Sequence, residues 1–334
     1  MTQKLPVPRH AFCLATLICV CAVGAHSQMP TLSPLPGTGS LSAPGNPAKF
    51  TIVVAGDNRP AKAADKQGHT PKKIFADAQK IAPAFVMWTG DTIFGKDPQH
   101  GKRIHKEYKE FLKIAQTAGV PVFNAPGNHE LDDSQNKPST QMLQYYISDM
   151  GLAYGAFTYG NSRFIALDSE AEPPSGVTGT CSPGTASDVE NTNDKFNAPG
   201  YIDQAQLALL RQDLKNNKNL AHILIFMHHP VKAVKCKDAL AQESVQALEA
   251  LFQNYSNVSY VISGHEHLYY NPQSKGKHGL DQPPNRTDPA QPPFYLVTGG
   301  AGAPLRELPN GFYNYLVFEF DGAHISAKMI KIGN

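Results

Sequence analysis

Five short segments of this 334-residue chain place polar side chains of the types that can bind metals directly after runs of apolar residues. They are Gly56-Asp57-Asn58-Arg59, Gly90-Asp91, Gly127-Asn128-His129-Glu130, Met227-His228-His229-Pro230 and Gly264-His265-Glu266-His267. Carboxylate, amide and imidazole donors without a thiolate are typical of catalytic rather than structural metal sites. On extended backbone His265 and His267 point to the same side, so both rings can reach one cluster while Glu266 faces away.

Each segment follows an apolar run that predicts a buried strand. The five runs are Phe50 to Val54, Phe85 to Trp88, Val120 to Phe123, Ile223 to Phe226 and Val258 to Ile262. In an open α/β fold ligands bind where the carboxyl ends of strands emerge from the sheet, so we expect these five ends to converge on one metal site. The glycine that precedes the first polar residue in four of the segments is expected to allow a tight turn.

Helical segments alternate with these runs and further strands follow them. The predicted helices are Pro71 to Ile81, Gly101 to Ala118, Ser139 to Ser148, Asp203 to Asn216 and Ala239 to Phe252. The further strands are Phe157 to Tyr159, Arg163 to Asp168, Phe294 to Thr298, Tyr313 to Phe320 and His324 to Ile330. Asp321-Gly322 is a hairpin turn signal between the last two. This mixture predicts two stacked mixed sheets rather than one parallel sheet.

The N-terminus is typical of a cleaved export signal. Lys4 and Arg9 precede an apolar run from Ala11 to Val23 that is too short to span a bilayer. An uncleaved anchor is the alternative. The expected organisation is a signal peptide (1–27), a flexible linker rich in Pro, Ser and Gly (28–48) and a folded domain (49–334). We therefore expect a secreted or periplasmic protein with no stable membrane span after cleavage.

Removal of the signal peptide leaves 28 basic and 28 acidic residues and two cysteines. A neutral chain with no basic stripe attracts nucleic acid weakly, so no nucleic-acid partner is expected. In an exported protein, Cys181 and Cys236 predict a disulfide, with two free thiols as the alternative. The bridge would pin the polar insertion from Glu170 to Gly200, which is either a wall over the site or a surface decoration.

Together the five segments resemble the calcineurin-like metallophosphoesterase superfamily, whose pattern is Asp-x-His, Gly-Asp, Gly-Asn-His-Asp/Glu, His and Gly-His-x-His. The resemblance implies a four-layer α/β/β/α sandwich of two mixed β-sheets flanked by helices. The implied metal ligands are Asp57 and His267 for a first ion, Asn128, His228 and His265 for a second, and Asp91 as the bridge. By the same resemblance His129 stabilises the transition state or protonates the leaving oxygen, while Glu130 orients that ring or faces the surface.

The resemblance also implies two divalent or trivalent metal ions, with Mn, Zn and Fe as candidates. A hydroxide that bridges them would attack phosphorus. We therefore predict a metal-dependent phosphoesterase, a hydrolase acting on small-molecule phosphate mono- or diesters. The substrate-binding candidates are Arg59, Asn128 and His129, and the catalytic candidates are His129 and Asp91.

Arg59 departs from the family pattern, which has histidine at that position. Purple acid phosphatases lack this histidine too, but they have tyrosine where this chain has Phe94, so no iron–tyrosinate colour is expected. The first metal is expected to be weakly held, completed by water, or supplemented by a residue such as His69. Arg59 either clamps a substrate phosphate or pairs with an acid at the rim. The alternative function is a degenerate phosphate- or metal-binding protein of the same fold without turnover.

Overall fold

The computed structural model describes residues 28–63, 65–175, 177, 200–235 and 238–333. Its first sheet has five strands in the order β11–β10–β1–β2–β3. They are β1 (Lys49–Ala55), β2 (Phe85–Trp88), β3 (Val122–Asn124), β10 (Asn314–Asp321) and β11 (His324–Lys331). β1, β2 and β3 run parallel, so their carboxyl ends lie side by side, and β10 and β11 add an antiparallel ribbon.

The second sheet has six strands in the order β4–β5–β6–β7–β9–β8. They are β4 (Gly155–Tyr159), β5 (Ser162–Ala166), β6 (His222–Phe226), β7 (Val258–Ser263), β8 (Tyr269–Tyr270) and β9 (Phe294–Thr298). The four central strands are parallel, while β4 and β8 close the two ends antiparallel. The neighbouring carboxyl ends of β6 and β7 therefore form a second group of strand ends.

Six α-helices connect these strands within the described residues. They are α1 (His69–Ile81), α2 (Gly101–Ala115), α3 (Asn128–Leu131), α4 (Thr140–Asp149), α5 (Gln204–Asn216) and α6 (Gln242–Phe252). Phe75 of α1 and Phe111 of α2 pack with Trp88 on the outer face of the first sheet. Leu210 of α5 lies in the cluster that contains Ile225 on the outer face of the second sheet.

The core between the sheets is built from strand residues that alternate with those facing the helices. Val54 and Phe85 of the first sheet join Phe164 and Phe226 of the second in one apolar cluster, while Val53 belongs to the helix-facing cluster. The rings of Phe85 and Phe164 meet edge to face, with their centroids 4.9 Å apart. The two mixed sheets and their flanking helices form the four layers of the predicted α/β/β/α sandwich, and the fold class is confirmed.

The element boundaries agree with the predicted ones to within a few residues. Each predicted helix and strand is present, and the Asp321-Gly322 turn joins β10 to β11 with Gly322 at a φ of 67°. The short strand β8 and the single-turn helix α3 were not predicted as elements, because two to four residues carry no periodicity that could reveal them.

The segment before β1 differs from the expected flexible linker. Met29, Leu32, Leu35 and Thr38 are buried. Backbone hydrogen bonds join Leu32 to β4 and Leu35 to β3, so residues 29–38 run along an edge of both sheets. The Pro, Ser and Gly content predicted a free tether, but the apolar residues spaced three apart give this segment a buried side.

Three sequence predictions lie outside the described residues. They concern the signal peptide at 1–27, the pairing of Cys181 with Cys236, and the part of the polar insertion from 178 to 199. Among the helices that the structure describes, none has the length and apolar character needed to cross a bilayer.

We expect Leu35→Ala to lower the free energy of unfolding by about 2 kcal/mol or more, because the substitution leaves a cavity in the helix-facing core. Urea denaturation measures this, with exposed Ser33→Ala as the matched control. If residues 29–38 were only a tether, both substitutions would leave stability unchanged.

His222 at the start of β6 provides a pH-dependent test of the fold. It is buried, with ring nitrogens 2.9 Å from Ser259 Oγ and 3.2 Å from the Gly322 carbonyl oxygen. Burial lowers the pKa of His222 to about 4. The unfolded chain therefore takes up a proton at this residue as pH falls below about 6.5, before the folded chain does, and stability is lost down to about pH 4.

The substitution His222→Gln removes this titration and leaves the other buried groups in place. Between pH 7 and pH 4.5 we expect the stability of the variant relative to the wild type to improve by about 2 kcal/mol. Urea denaturation at the two pH values measures the change. A relative stability that is the same at both would contradict the assigned pKa shift.

Candidate metal centre

The strand ends bring three of the predicted ligands together. Ligand atoms of Asp57, Asp91 and His228 all lie within 4.8 Å of one another, and the three residues are buried. Asp57 follows β1, Asp91 follows β2 and His228 follows β6, so both sheets contribute to one cluster. The predicted convergence of strand ends is present in the structure.

The backbone at this cluster is strained. Four predicted ligands have the left-handed conformation that non-glycine residues seldom adopt, with φ angles of 64° at Asp57, 52° at Asp91, 70° at His265 and 50° at His267. Each costs of order 1 kcal/mol, and such strain collects at functional sites. At Gly264 the glycine is required for space rather than for the expected turn, because a Cβ there would lie 2.2 Å from Asp57 Oδ2.

Asp57 and His267 form one side of the cluster. Both carboxylate oxygens of Asp57 accept from the backbone N–H of His265, at 2.9 and 3.0 Å. Nδ1 of His267 lies 2.7 Å from the Pro304 carbonyl, so its Nε2 is left to face Asp57 Oδ1 at 3.6 Å and Asp91 Oδ2 at 3.8 Å. Burial and the charge of Asp91 raise the pKa of Asp57 well above its usual range.

His228 forms the other side and presents a lone pair. Its Nδ1 donates to the Thr89 carbonyl at 2.7 Å, so Nε2 is unprotonated in the neutral ring. Nε2 lies 3.3 Å from Asp91 Oδ1, 3.2 Å from Asn128 Oδ1 and 3.0 Å from His265 Nδ1. Burial lowers the pKa of His228 to about 4, which keeps this ring neutral near pH 7.

Asn128 lies between this cluster and Lys96, a residue that sequence reasoning missed. With the amide turned one way, its oxygen faces His228 Nε2 at 3.2 Å. Turned the other way, its nitrogen donates to Asp91 Oδ1 at 3.3 Å and to His228 Nε2 at 3.2 Å, and its oxygen accepts from Lys96 Nζ at 2.6 Å. No motif marks Lys96, which comes from the loop after β2.

His129 is half-buried beside the bridging candidate. Its backbone N–H donates to Asp91 Oδ1 at 3.1 Å, and its Nδ1 hydrogen-bonds to the Phe94 carbonyl. The Phe94 ring meets the His129 ring edge to face, with centroids 5.9 Å apart. Burial lowers the pKa of His129 to about 3, which keeps the ring neutral near pH 7. Because Nδ1 is bonded to the Phe94 carbonyl, Nε2 is the nitrogen left to meet a ligand.

Glu130 has neither of its expected roles. It is fully buried and accepts hydrogen bonds from the backbone N–H groups of Asp91, Thr92, Ile93 and Gly127, at 2.7 to 3.2 Å, and from the Thr92 hydroxyl at 3.0 Å. The carboxylate thus ties the loop after β2 to the loop after β3. The expectation that Glu130 orients the His129 ring or faces the surface is wrong, because these donors draw it inward.

Arg59 pairs with the centre of the site rather than with an acid at its rim. Its Nε lies 3.3 Å from Asp91 Oδ2, and among the described residues this buried nitrogen has no hydrogen-bond partner of good geometry. Burial alone would raise the pKa of Asp91, but three histidines and Arg59 hold it well below its usual range. Asn58 lies behind the site and is held by a hydrogen bond that Trp88 Nε1 donates to its Oδ1 at 2.8 Å.

Further polar side chains support the histidines from behind. His229 lies behind His228, with its Nδ1 2.9 Å from Glu170 Oε1. Glu266 faces away from the cluster and accepts backbone N–H bonds from the loop after β6. His69 is exposed at the start of α1 and lines a cleft with Lys73 and Leu305.

The donor set fits a metal ion. The cluster contains two carboxylates and the unprotonated nitrogen of His228, and Asn128 can turn its amide oxygen toward them. Lone pairs that converge in a buried volume repel unless a cation lies between them. Mixed oxygen and imidazole donors suit divalent ions such as Mn, Zn or Fe, and the Thr89 and Pro304 carbonyls orient two of the rings as carbonyls do behind metal-bound histidines.

Comparison with known proteins agrees with this geometry. The family model for calcineurin-like phosphoesterases matches residues 50–269, so the chain belongs to that family. A dimetal phosphatase from Danio rerio has a similar structure, with a TM-score of 0.54 and 15% identity over 85% of this chain and 98% of that one. GAP50, the anchor in the inner membrane complex of Plasmodium, has a TM-score of 0.52 and 12% identity over 85% of each chain. No curated protein matches the sequence.

We expect Glu130→Gln to lower the free energy of unfolding by about 3 kcal/mol, because an amide nitrogen would face backbone N–H groups that need an acceptor. Metal affinity should fall as well, since the loop that holds Asp91 loses its anchor. Denaturation with and without Mn²⁺ measures both effects, with exposed Glu319→Gln as the control. A variant as stable as this control would show that the five hydrogen bonds do not hold the loop.

Proposed function

We propose that this member of the calcineurin-like phosphoesterase family is an exported hydrolase of small-molecule phosphate mono- or diesters. The observation that carries the proposal is the buried cluster of Asp57, Asp91 and His228, whose ligand atoms lie within 4.8 Å of one another. A metal-dependent phosphoesterase is the activity that the family supports. Export is proposed from the basic and apolar pattern of residues 1–27, followed by the domain that the structure describes.

The proposed ligand assignment follows the two sides of the cluster. Asp57 and His267 would hold a first ion. A second ion would be held by Asn128, His228 and His265, and Asp91 would bind both ions. Asp91 offers different oxygens to the two sides, because Oδ2 faces His267 and Oδ1 faces His228. Bound there, the ions would supply an activated water for attack on phosphorus and would neutralise the phosphoryl oxygens.

Two residues of the chain would then act on the substrate. Arg59 is proposed to bind a phosphoryl oxygen through its guanidinium, whose Nε already faces the site. His129 is proposed to act as the imidazolium and to give its Nε2 proton to the leaving oxygen, which leaves the neutral ring with its Nδ1–H still on the Phe94 carbonyl. A phosphate anion beside the ring would raise the pKa of His129, because it favours the imidazolium form.

A second candidate function is binding of phosphate or metal without turnover. It is favoured by one observation, that Arg59 replaces the family's histidine and lies 3.3 Å from Asp91 Oδ2. A guanidinium there competes by charge with an ion on the same oxygen. About one ion per chain with no hydrolysis under any metal would support this candidate.

The first test is hydrolysis of aryl phosphate mono- and diesters by purified protein with added Mn²⁺, Zn²⁺ or Fe²⁺, beside its metal content. We expect metal-dependent turnover that falls about a thousandfold in Asp91→Ala, with loss of bound metal, because Asp91 serves both sides of the cluster. Exposed Asp321→Asn is the control and should behave as wild type. Wild-type protein without metal-dependent turnover would contradict the enzymatic proposal.

A further inference from the structure

The backbone of Lys96 is held in a defined position beside the metal centre. It follows Gly95 in the loop between β2 and α2, and both residues have left-handed φ angles, 59° at Gly95 and 53° at Lys96. The backbone N–H of Lys96 donates to the His129 carbonyl at 3.2 Å, and a Cβ at Gly95 would lie 1.6 Å from the same oxygen. The strained loop packs against His129 and thus fixes the backbone position from which the Lys96 side chain extends.

The ammonium group of Lys96 reaches the ligand set from outside. Nζ donates to Asn136 Oδ1, and in one orientation of the Asn128 amide it also donates to the Asn128 oxygen at 2.6 Å. The opposite end of that amide lies 3.2 Å from His228 Nε2. Nζ is therefore separated from Asp91 and His228 only by the amide of Asn128, itself a proposed metal ligand.

The proposed metal role of Asn128 conflicts with this hydrogen bond. A metal ligand must present its oxygen inward, and the Asn128 nitrogen then faces Lys96 Nζ at 2.6 Å. Two donors cannot remain at that distance, because neither has a lone pair for the other. Once Asn128 serves a metal, the ammonium of Lys96 therefore loses the Asn128 oxygen as an acceptor and keeps its hydrogen bond to Asn136.

We propose that Lys96 binds a phosphoryl oxygen of the substrate and makes the site selective for phosphomonoester dianions over diester monoanions. The inference rests on the proposed phosphoesterase function and adds the substrate class to it. Lys96 approaches through Asn128, on the Asp91 Oδ1 side, whereas Arg59 lies on the Oδ2 side. A phosphoryl group between them would meet a cation on each side.

Charge explains the selectivity. A monoester at neutral pH carries nearly two negative charges and three free oxygens, whereas a diester carries one charge and two free oxygens. An added cation therefore attracts the monoester more strongly. A charge-assisted hydrogen bond contributes about 1.5–3 kcal/mol, which corresponds to a factor of roughly ten to a hundred in affinity.

The test compares wild type, Lys96→Met, Lys96→Arg and the control Lys102→Met, an exposed lysine of α2. Each protein is loaded with Mn²⁺. Calorimetry at about pH 8 measures the binding of inorganic phosphate, largely a dianion there, and of dimethyl phosphate, a monoanion. The same proteins are assayed for hydrolysis of an aryl phosphate monoester and a diaryl diester.

We expect Lys96→Met to weaken phosphate binding and monoester kcat/KM by about tenfold or more, with less than a threefold change for dimethyl phosphate and the diester. Lys96→Arg should keep the preference and Lys102→Met should match wild type. Equal losses for both ester classes would overturn the proposal, since they would show that Lys96 only supports Asn128 or the buried acids Asp132 and Glu170, which interact with its charge. No loss in either would overturn it as well.

Binding is measured separately from turnover, so the two proposals can fail separately. A wild-type protein that binds phosphate but hydrolyses neither ester contradicts the phosphoesterase proposal, while the Lys96 comparison still gives its answer by calorimetry. A wild type that hydrolyses monoesters, with Lys96→Met equally active, contradicts the Lys96 proposal alone.

Discussion

The crowding of buried hydrogen-bond acceptors at the meeting of five strand ends is the constraint on which the rest of this structure depends. Asp57 and Asp91 are buried within reach of each other and of the His228 lone pair. A buried carboxylate without donors would cost several kcal/mol. Backbone N–H groups supply these donors: Asp57 accepts from the N–H of His265 and Asp91 accepts from the N–H of His129.

These donors come from loops that follow different strands, so the site requires both sheets to keep their register. The His265 N–H follows β7 of the second sheet, yet it serves a carboxylate that follows β1 of the first. Within the first sheet Glu130 likewise connects two loops, because its carboxylate accepts hydrogen bonds from N–H groups of the loops after β2 and β3. The left-handed backbone at Asp57 and His265 is tolerated because these bonds hold it in place.

The sequence allowed the fold and the convergence of Asp57, Asp91 and His228 to be predicted, because apolar runs locate the strands and the parallel order puts their polar ends together. The role of Glu130 could not be predicted in this way, because its position in the motif does not show which way its side chain turns. Lys96 was missed because its position depends on left-handed loop geometry, which no local pattern near Gly95 encodes. The ordered segment 29–38 was missed because its composition resembles a linker, while its burial depends on the edges of two distant strands.

That segment has a consequence beyond the stability of one domain. β3 and β4 each end their sheet, and an open sheet edge offers unpaired backbone groups to any other strand. Leu35 bonds to β3 and Leu32 bonds to β4, so a single stretch of chain occupies part of both edges. The N-terminal segment therefore protects against edge-to-edge association. A chain shortened to begin at β1 would be exposed to aggregation at both edge strands, β3 and β4.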